Sequence, residues 1–389
     1  MDLSRWRDEF PILDTCTYLV SHSLGAMPRR ARTYLQRFAD EWDTRGVRAW
    51  HEGWWDLGRE TGDLLAPILG VAPGTISMHQ NVSVAMAIIA SAYRYDGARR
   101  RVVMSELEFP TNHYVFEAFR RFGVEVVAVP SADRIRVDTQ RLLDAIDERT
   151  VLVPFSYVLF RSAAIQDAPA IVARARAVGA HVIADVYQAA GTVPLALDAL
   201  GVEYAVGGSV KWLCGGPGAG YLYVRPDLAA RLEPAVTGWA AHARPFAFEP
   251  GPIEYAAAPE RFQSGTPNVP ALYSARAGYE IVGEVGVAQI RAHSLSLTKR
   301  LVEHAQRRGY TLNTPRADAE RGGSVVIDVP GSEGVAAELL RRGVIIDHRP
   351  GAGIRLAPHF YSDARDIDTA LATLDAILDS RPVTGARLV

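Results

Sequence analysis

The sequence predicts an α/β protein with a mainly parallel sheet that is covered by helices on its faces. Three observations support this prediction. Short β-rich runs alternate with helix-like stretches over residues 101–208. These runs are continuously apolar, as expected for strands that are buried on both faces. The 389 residues, of which 48% are hydrophobic and 22% charged, are enough for one large domain with a smaller one attached.

The elements follow in chain order. The loop SHSLGAMP precedes two long helical segments at residues 30–42 and 54–69. Strands are then predicted at residues 101–104, 124–129, 150–155, 181–184 and 205–207. Helices are predicted between them at residues 112–122, 139–146 and 168–177. In the first of these, apolar residues recur at steps of three and four, which places them on one helical face.

The C-terminal part is predicted to be a small α+β unit that begins near Gly309. Residues 273–307 are nearly all helical and connect it to the larger part. The unit itself has the pattern strand, helix, strand, strand, helix, at residues 324–329, 334–342, 344–347, 353–356 and 366–378.

Composition excludes several classes of protein. A formal net charge of −2 provides no positive field for nucleic acid. Two cysteines form no disulfide framework, and the ten histidines show no zinc-ligand spacing, so no metal site is predicted. The N-terminus lacks a signal-peptide pattern, and the longest apolar stretch, residues 82–93, is too short to span a bilayer. We therefore expect a soluble, cytoplasmic protein with a small-molecule substrate.

A carboxylate and a lysine stand at the ends of two neighbouring strands, where ligands bind in a parallel α/β sheet. Asp185 follows one strand, and Lys211 follows the next, between small and apolar residues. A structural ion pair is one interpretation. The other is a desolvated lysine with a lowered pKa, which can form a Schiff base. With a glycine-rich turn after it, this pair is what pyridoxal phosphate (PLP) requires, since the aspartate keeps the pyridine nitrogen protonated.

The strings ADVYQAAG and GGSVKWLCGGPG resemble the class V aminotransferase group of fold-type I PLP enzymes. The resemblance implies a large domain with a mainly parallel seven-stranded sheet and a small C-terminal α+β domain. It also implies that Asp185 is the partner of the pyridine nitrogen, that Gln188 contacts the ring hydroxyl, and that Lys211 is the Schiff-base lysine. Ser209 would contribute to the phosphate site.

Two further positions fit such a site. The family binds the cofactor phosphate at a helix N-terminus, where free N–H groups favour an anion. Val82 and Ser83 begin the apolar helix that could do this, although ordinary helix capping is the alternative. Phe109 follows a strand and could stack on the pyridine ring, or it could be a core residue.

Six longer strings resemble motifs of kynureninases: YLVSHSLGAMP, RAWHEGWWDLGRETGDLLAPILG, EFPTNHY, TGWAAH, RFQSGTPNVPAL and IDHRPGAGIRLAPHFYS. The resemblance implies that Trp239 and Thr266 contact the phosphate, Thr266 from the partner subunit of a homodimer. Asn112 and Ser156 align with cofactor-contacting positions, and Arg355 with the arginine that binds the substrate α-carboxylate. Ser23 and His51 are candidates for the substrate pocket, although a packed histidine is the alternative for His51.

The resemblance also implies a domain division. Residues 1–50 would join the small domain and the dimer interface, residues 51–285 would form the large PLP domain, and residues 286–389 the small domain. The expected reaction is hydrolytic Cβ–Cγ cleavage of a kynurenine-type amino acid.

Three positions depart from the kynureninase pattern. Val210 stands where kynureninases have the tyrosine that precedes the lysine, Gln188 where they have histidine, and Asn112 where they have aspartate. These departures leave open an aminotransferase or a β-lyase that cleaves a C–S bond. A non-catalytic binding or regulatory protein on the same fold is the alternative from another class.

Overall fold

The computed structural model describes residues 3–380, within which the strands form sheets of seven, four and two strands. The strands are β1 (Thr17–Tyr18), β2 (Ile76–His79), β3 (Arg101–Ser105), β4 (Glu125–Val129), β5 (Thr150–Ser156), β6 (His181–Asp185), β7 (Tyr204–Gly208), β8 (Gly220–Val224), β9 (Thr311–Leu312), β10 (Val325–Asp328), β11 (Val344–Ile345), β12 (Asp347–Arg349) and β13 (Gly353–Leu356). The α-helices are α1 (Arg29–Arg45), α2 (Leu57–Leu69), α3 (Val82–Ser91), α4 (Pro110–Phe119), α5 (Thr139–Ala145), α6 (Ala168–Ala177), α7 (Leu197–Leu200), α8 (Pro226–Ala229), α9 (Val269–Val285), α10 (Val287–Arg308), α11 (Ser332–Arg341) and α12 (Ala364–Asp379).

The large sheet has the strand order β2-β8-β7-β6-β5-β3-β4. Strands β3 to β7 are parallel to one another, whereas β8 is antiparallel to both of its neighbours, β7 and β2. The predicted mainly parallel, seven-stranded sheet is therefore confirmed. From β3 the chain continues outward to β4, whereas β5, β6 and β7 are added on the other side of β3. The loops after β3 and β5 therefore diverge, and such a switch point leaves a crevice for a ligand.

Both faces of this sheet are buried, which explains the continuously apolar strands. On β6, Val182 and Ala184 belong to the hydrophobic core on one side, whereas Ile183 belongs to the core on the other side. The side chains of β3 divide in the same way. Because successive strand residues point to opposite faces, a strand between two helical layers has no solvent-facing position to fill with polar residues.

The four-stranded sheet, in the order β12-β13-β10-β9, has a separate core with α11 and α12. The N-terminal segment contributes to it. Leu19 lies in this second core, β1 pairs in parallel with β11, and Val20 bridges to Ala357. Residues from the two ends of the chain therefore pack together beside the large sheet.

Some elements differ from the sequence-based expectations. Strands β2 and β8 were not predicted, because one has only four residues and the other directly follows the glycine-rich turn. The strand predicted at residues 344–347 is two strands in different sheets, β11 and β12. Helix α2 begins at Leu57 rather than residue 54, because residues 46–50 form a 3₁₀ turn and residues 51–56 a run of turns.

No helix among residues 3–380 is both long enough and apolar enough to cross a membrane. Within the same residues, no group of three or more metal-ligating side chains is placed to hold a metal ion.

Candidate active site

A cavity of about 240 Å³ lies at the carboxyl ends of β5 and β6, beside the switch point of the sheet. Seven of the predicted site residues line it: Val82, Ser83, Phe109, Ser156, Asp185, Gln188 and Lys211. They come from the start of α3 and from the loops after four different strands. The topology thus brings together residues that are up to 129 positions apart in the sequence.

Lys211 is half-buried in this cavity, in the loop that follows β7. Its Nζ lies 4.2 Å from the ring centroid of Tyr187 and 5.6 Å from that of Phe109. Burial lowers the pKa of Lys211 to about 8, and the positive charges of Arg355 and Arg349 act in the same direction, against the charge of Asp185. About a tenth of this amine is therefore neutral and nucleophilic at pH 7, far more than for a lysine with an ordinary pKa.

Asp185 is the last residue of β6 and is buried. Its Oδ1 accepts a hydrogen bond of 3.0 Å from the Tyr187 backbone N–H. Burial raises the pKa of Asp185, whereas this N–H and the charge of Lys211 lower it. Asn112, from the first turn of α4, is fully buried nearby; its amide also lowers the pKa of Asp185, yet neither of its side-chain polar atoms has a hydrogen-bond partner among residues 3–380.

The amide of Gln188 has a fixed orientation. Its Nε2 donates to the backbone carbonyl of His22 at 3.0 Å, and its Oε1 accepts from the indole N–H of Trp212 at 2.9 Å. Because the carbonyl can only accept and the indole can only donate, the two amide atoms cannot exchange places. The second N–H of Nε2 is left for a ligand in the cavity that Gln188 lines.

The start of α3 provides donors for an anion at the other end of the cavity. Asn81 caps this ten-residue helix by accepting the Val84 N–H at 3.0 Å, which leaves the N–H groups of Val82 and Ser83 free of intrahelical partners. The Ser83 hydroxyl lies 3.3 Å from that of Thr111, which also lines the cavity. Two hydroxyls and two N–H groups thus face one region.

These groups fit pyridoxal phosphate. The cavity offers an amine for the aldehyde, a buried carboxylate for the pyridine nitrogen, an amide N–H for the ring oxygen, and a helix N-terminus for the phosphate.

Arg355 is almost completely buried and already has protein partners for each guanidinium nitrogen. Its Nε donates to Asp347 Oδ1 at 2.7 Å, its Nη1 to the Phe160 carbonyl at 2.6 Å, and its Nη2 to both Asp347 Oδ2 and the Ser23 hydroxyl. Ser23 in turn donates to Asp347 at 2.8 Å. The predicted pair Ser23 and Arg355 therefore lies together, in a network whose charge is shared with Asp347.

Seven predicted site residues do not line this cavity: Asn112, Ser23 and Arg355, described above, and also Ser209, His51, Trp239 and Thr266. The buried hydroxyl of Ser209 donates to the Ala219 carbonyl at 2.6 Å and lies 2.6 Å from the Tyr279 hydroxyl. His51, Trp239 and Thr266 lie on another surface and are exposed. Trp239 contacts Trp55, with ring centroids 5.3 Å apart, and Thr266 lies between lining residues of a second cavity of about 110 Å³.

We call this other region the aromatic surface: Trp55, Trp239, Phe246 and Phe248. Phe246 also contacts His51, with ring centroids 5.8 Å apart. Within residues 3–380 of one chain, none of the predicted residues His51, Trp239 and Thr266 lines the Lys211 cavity.

Lining residues that the sequence-based predictions missed include Thr111, Phe160 and Tyr187. Each stands a few residues after the end of a strand, so the rule that pointed to Asp185 could have found them. Asp347 was also missed, because nothing in the sequence pairs it with Arg355.

Comparisons with known proteins identify the family of this chain. The family model described as aminotransferase class-V matches residues 18–353. The kynureninase of Pseudomonas fluorescens is 30% identical over 392 residues, which cover 97% of this chain and 93% of that protein.

Among solved structures, the cysteine desulfurase of Thermococcus onnurineus NA1, in its apo form, superimposes with a TM-score of 0.87 at 19% identity, covering 97% of this chain and 98% of that one. A C-DES variant with glycine covalently linked to its PLP cofactor gives 0.85 at 21% identity, covering 95% and 98%. At these identities, the structural likeness concerns the fold.

Proposed function

We propose a reaction from one premise: the chain belongs to the class V aminotransferase family, whose enzymes use pyridoxal phosphate and act on amino acids. The proposed reaction is the hydrolytic cleavage of the Cβ–Cγ bond of a kynurenine-type amino acid. The observation that supports it most directly is the similarity to a kynureninase over 97% of the chain.

The roles of the cavity residues follow from their positions. When bound, pyridoxal phosphate supplies an electron-withdrawing ring that stabilises negative charge on the substrate α-carbon. Asp185 holds a proton on the ring nitrogen, because a buried carboxylate strongly favours a positive partner. Gln188 donates its remaining N–H to the ring oxygen, and the start of α3 holds the phosphate.

Lys211 has two tasks in this proposal. Its amine would hold the cofactor through the aldehyde, and it would serve as the base for the proton on the substrate α-carbon. An amine with a pKa of about 8 can both accept and return a proton near neutral pH. Arg355 would orient the substrate carboxylate while it keeps its hydrogen bonds to Asp347 and Ser23.

The second candidate is an aminotransferase or a β-lyase that cleaves a C–S bond. The presence of Val210 directly before Lys211 favours this candidate, since a valine side chain can neither donate nor accept the protons that hydrolysis of a ketone needs.

We also propose a homodimer in which the aromatic surface meets a partner subunit. Exposed fractions of 40% for Trp239 and 73% for Phe248 are large for aromatic side chains, and clustered exposed aromatic residues mark interaction sites. Thr266, next to this surface, would then reach the partner's cavity.

The lysine content makes the cofactor proposal unusually easy to test. Lys211 and Lys299 are the only lysines in the sequence. Borohydride reduction of the PLP-loaded protein, followed by peptide mass spectrometry, should label Lys211. The Lys211→Ala variant should carry no label on Lys299, and the matched variant Lys299→Ala, in an exposed position on α10, should be labelled like the parent.

Product analysis with kynurenine tests the reaction. Anthranilate and alanine in equal amounts from kynurenine would support hydrolysis. Pyruvate and ammonia from an amino acid with sulfur on Cβ, such as cystine, or an α-keto acid formed with a keto-acid acceptor, would support the second candidate. A protein that is labelled at Lys211 but gives none of these products from any amino acid would contradict the proposed activity while leaving the cofactor in place.

A further inference from the structure

Positive charge is concentrated at the outer end of the cavity, in a group of four arginines that we call the arginine rim: Arg134, Arg161, Arg349 and Arg355. The backbone connects this rim to the cavity. Arg355 donates to the carbonyl of Phe160, a lining residue whose ring contacts Phe109 at 5.2 Å between centroids. Arg161 is the next residue along the chain.

Arg134 and Arg161 converge on one point. A Cβ built on Gly351 would lie 3.4 Å from Arg161 Nη2 and 3.5 Å from Arg134 Nη1, so the two nitrogens are within about 7 Å of each other. Gly351 has a φ of +67° and no side chain, which keeps this space open. Arg161 also donates to the Pro350 carbonyl at 2.8 Å, and this bond holds its guanidinium at the rim.

The rim has too few negative charges for its arginines. Asp347 is its one carboxylate among residues 3–380, and it is shared by Arg355 and by Arg349, which lies 3.2 Å away. No ion pair of Arg134 or Arg161 occurs within those residues. His22 contacts Asp347, but burial lowers its pKa to about 4, so it adds no charge at neutral pH.

The substrate α-carboxylate would bring one negative charge to four arginines and one aspartate. Together with Asp347, that charge balances the positive charges of Arg355 and Arg349. Arg134 and Arg161 are left without a negative counter-charge. An exposed arginine needs no partner, but Arg161 is half-buried, and burial together with Arg134 lowers its pKa. A second anion between the two guanidinium groups would remove this repulsion.

We propose that Arg134 and Arg161 form a subsite for a second anionic group, a carboxylate or a phosphate-like group, at the end of the substrate remote from the α-carbon. This inference rests on the proposed function only in that the substrate is an amino acid bound in the Lys211 cavity. The preferred substrate is then more acidic than kynurenine, whose side chain carries no negative charge.

The test is a spectrophotometric titration of the PLP-loaded protein with three amino acids of similar length. Norleucine has a neutral end, 2-aminoadipate ends in a carboxylate, and 2-amino-5-phosphonopentanoate ends in a phosphonate. We expect Kd for at least one acidic ligand to be about tenfold or more below that for norleucine, and the tighter of the two identifies the anion. The difference should shrink as salt is added.

The variant Arg161→Gln should remove this preference and leave Kd for norleucine within about twofold. Arg136→Gln is the matched control, because Arg136 lies on the same loop as Arg134 but is paired with Glu320 at 3.1 Å. Equal affinities for all three ligands, or an equal loss of preference in both variants, would overturn the inference.

The outcome is independent of the reaction. Cleavage of kynurenine without a preference for acidic ligands would overturn the subsite and support the proposed function. A strong preference without cleavage of kynurenine would support the subsite and count against the proposed reaction.

Discussion

Tyr187 places a phenol beside Lys211 in a chain that has valine directly before that lysine. Its ring centroid lies 4.2 Å from Lys211 Nζ, and its hydroxyl has no hydrogen-bond partner within residues 3–380. Burial and the charge of Asp185 raise the pKa of Tyr187, so the phenol is protonated and can donate. Gly208 makes room for it, since a Cβ at that position would lie 2.5 Å from the tyrosine oxygen.

We therefore predict that Tyr187→Phe lowers kcat for ketone hydrolysis by about a hundredfold, because it removes the proton donor and retains the ring. The absorbance of the bound cofactor and the affinity for PLP should change little. Steady-state kinetics and apoenzyme titration measure the two quantities. Tyr114→Phe, at an exposed position on α4, is the control and should retain full activity. An unchanged kcat in Tyr187→Phe would assign the proton transfer to another group.

At the scale of residues, the sequence could predict which side chains meet but not which hydrogen bonds they form. Asp185, Gln188 and Lys211 meet because they follow the ends of parallel strands, and that follows from topology. The partner of a side chain depends on its rotamer and on distant segments. The Ser209 hydroxyl lies against Tyr279 of α9, and Arg355 is neutralised by Asp347, and neither contact has a sequence signal.

Among the elements, α3 depends on a close contact with the first residue of β8. A Cβ on Gly220 would lie 2.8 Å from the Cα of Asn81, the residue that caps the helix. Backbone atoms cannot yield cheaply to such an overlap, so the helix start would have to move.

We predict that Gly220→Ala raises Kd for PLP about tenfold and lowers the free energy of unfolding by about 1–3 kcal/mol, since the displaced N–H groups no longer face the phosphate. Fluorescence titration with PLP and urea unfolding measure the two effects. Gly283→Ala is the matched control, because Gly283 is exposed within α9 and a Cβ there meets nothing within 4 Å. Should both variants bind PLP equally well, the contact with Asn81 has no part in the phosphate site.

The element order of the sheet was predictable wherever apolar runs were long, as in β3 to β7. Strands β2 and β8 were not, because β2 has only four residues, two of them polar, and β8 directly follows a glycine-rich turn. The division between β11 and β12 was also hidden, since a continuous run of extended residues does not indicate where the chain passes from one sheet to another.

For the whole molecule, buried histidines couple the fold to pH. Burial lowers the pKa of His22 to about 4, of His79 to about 4 and of His359 to about 3. Buried Glu108 acts oppositely, because burial raises its pKa to about 7. The unfolded chain binds protons on the three histidines below about pH 6.5, and the folded chain does not. Between about pH 4.3 and pH 7, the Glu108 carboxyl is protonated in the folded protein and ionised in the unfolded chain.

We predict that near pH 5 unfolding takes up about two protons, three on histidines less one from Glu108, so the urea midpoint falls as pH falls from 6.5 to 4.5. Urea unfolding of the cofactor-free protein at several pH values measures the slope. His79→Gln should reduce it by about one proton, whereas His51→Gln, on the surface, should leave it unchanged. A midpoint that does not vary over this range would contradict the prediction.

We propose the domain division that the sequence suggests, with a large domain at residues 51–285 and a small domain from residue 286. The separate core beside α11 and α12 supports this division. Leu19 in that core supports an N-terminal segment that serves the small domain.

The pairing of β1 with β11 has a consequence for biosynthesis. Residues 17–18 leave the ribosome early, yet the strand they pair with begins at residue 344. At about 5–20 residues per second, the first strand waits roughly 15–65 seconds for its partner. The same segment lies against the active lysine, where the Gly25 N–H donates to the Val210 carbonyl at 2.8 Å. The wall around Lys211 is therefore completed only after residue 345 has been synthesised, and we expect cofactor capture to follow that point.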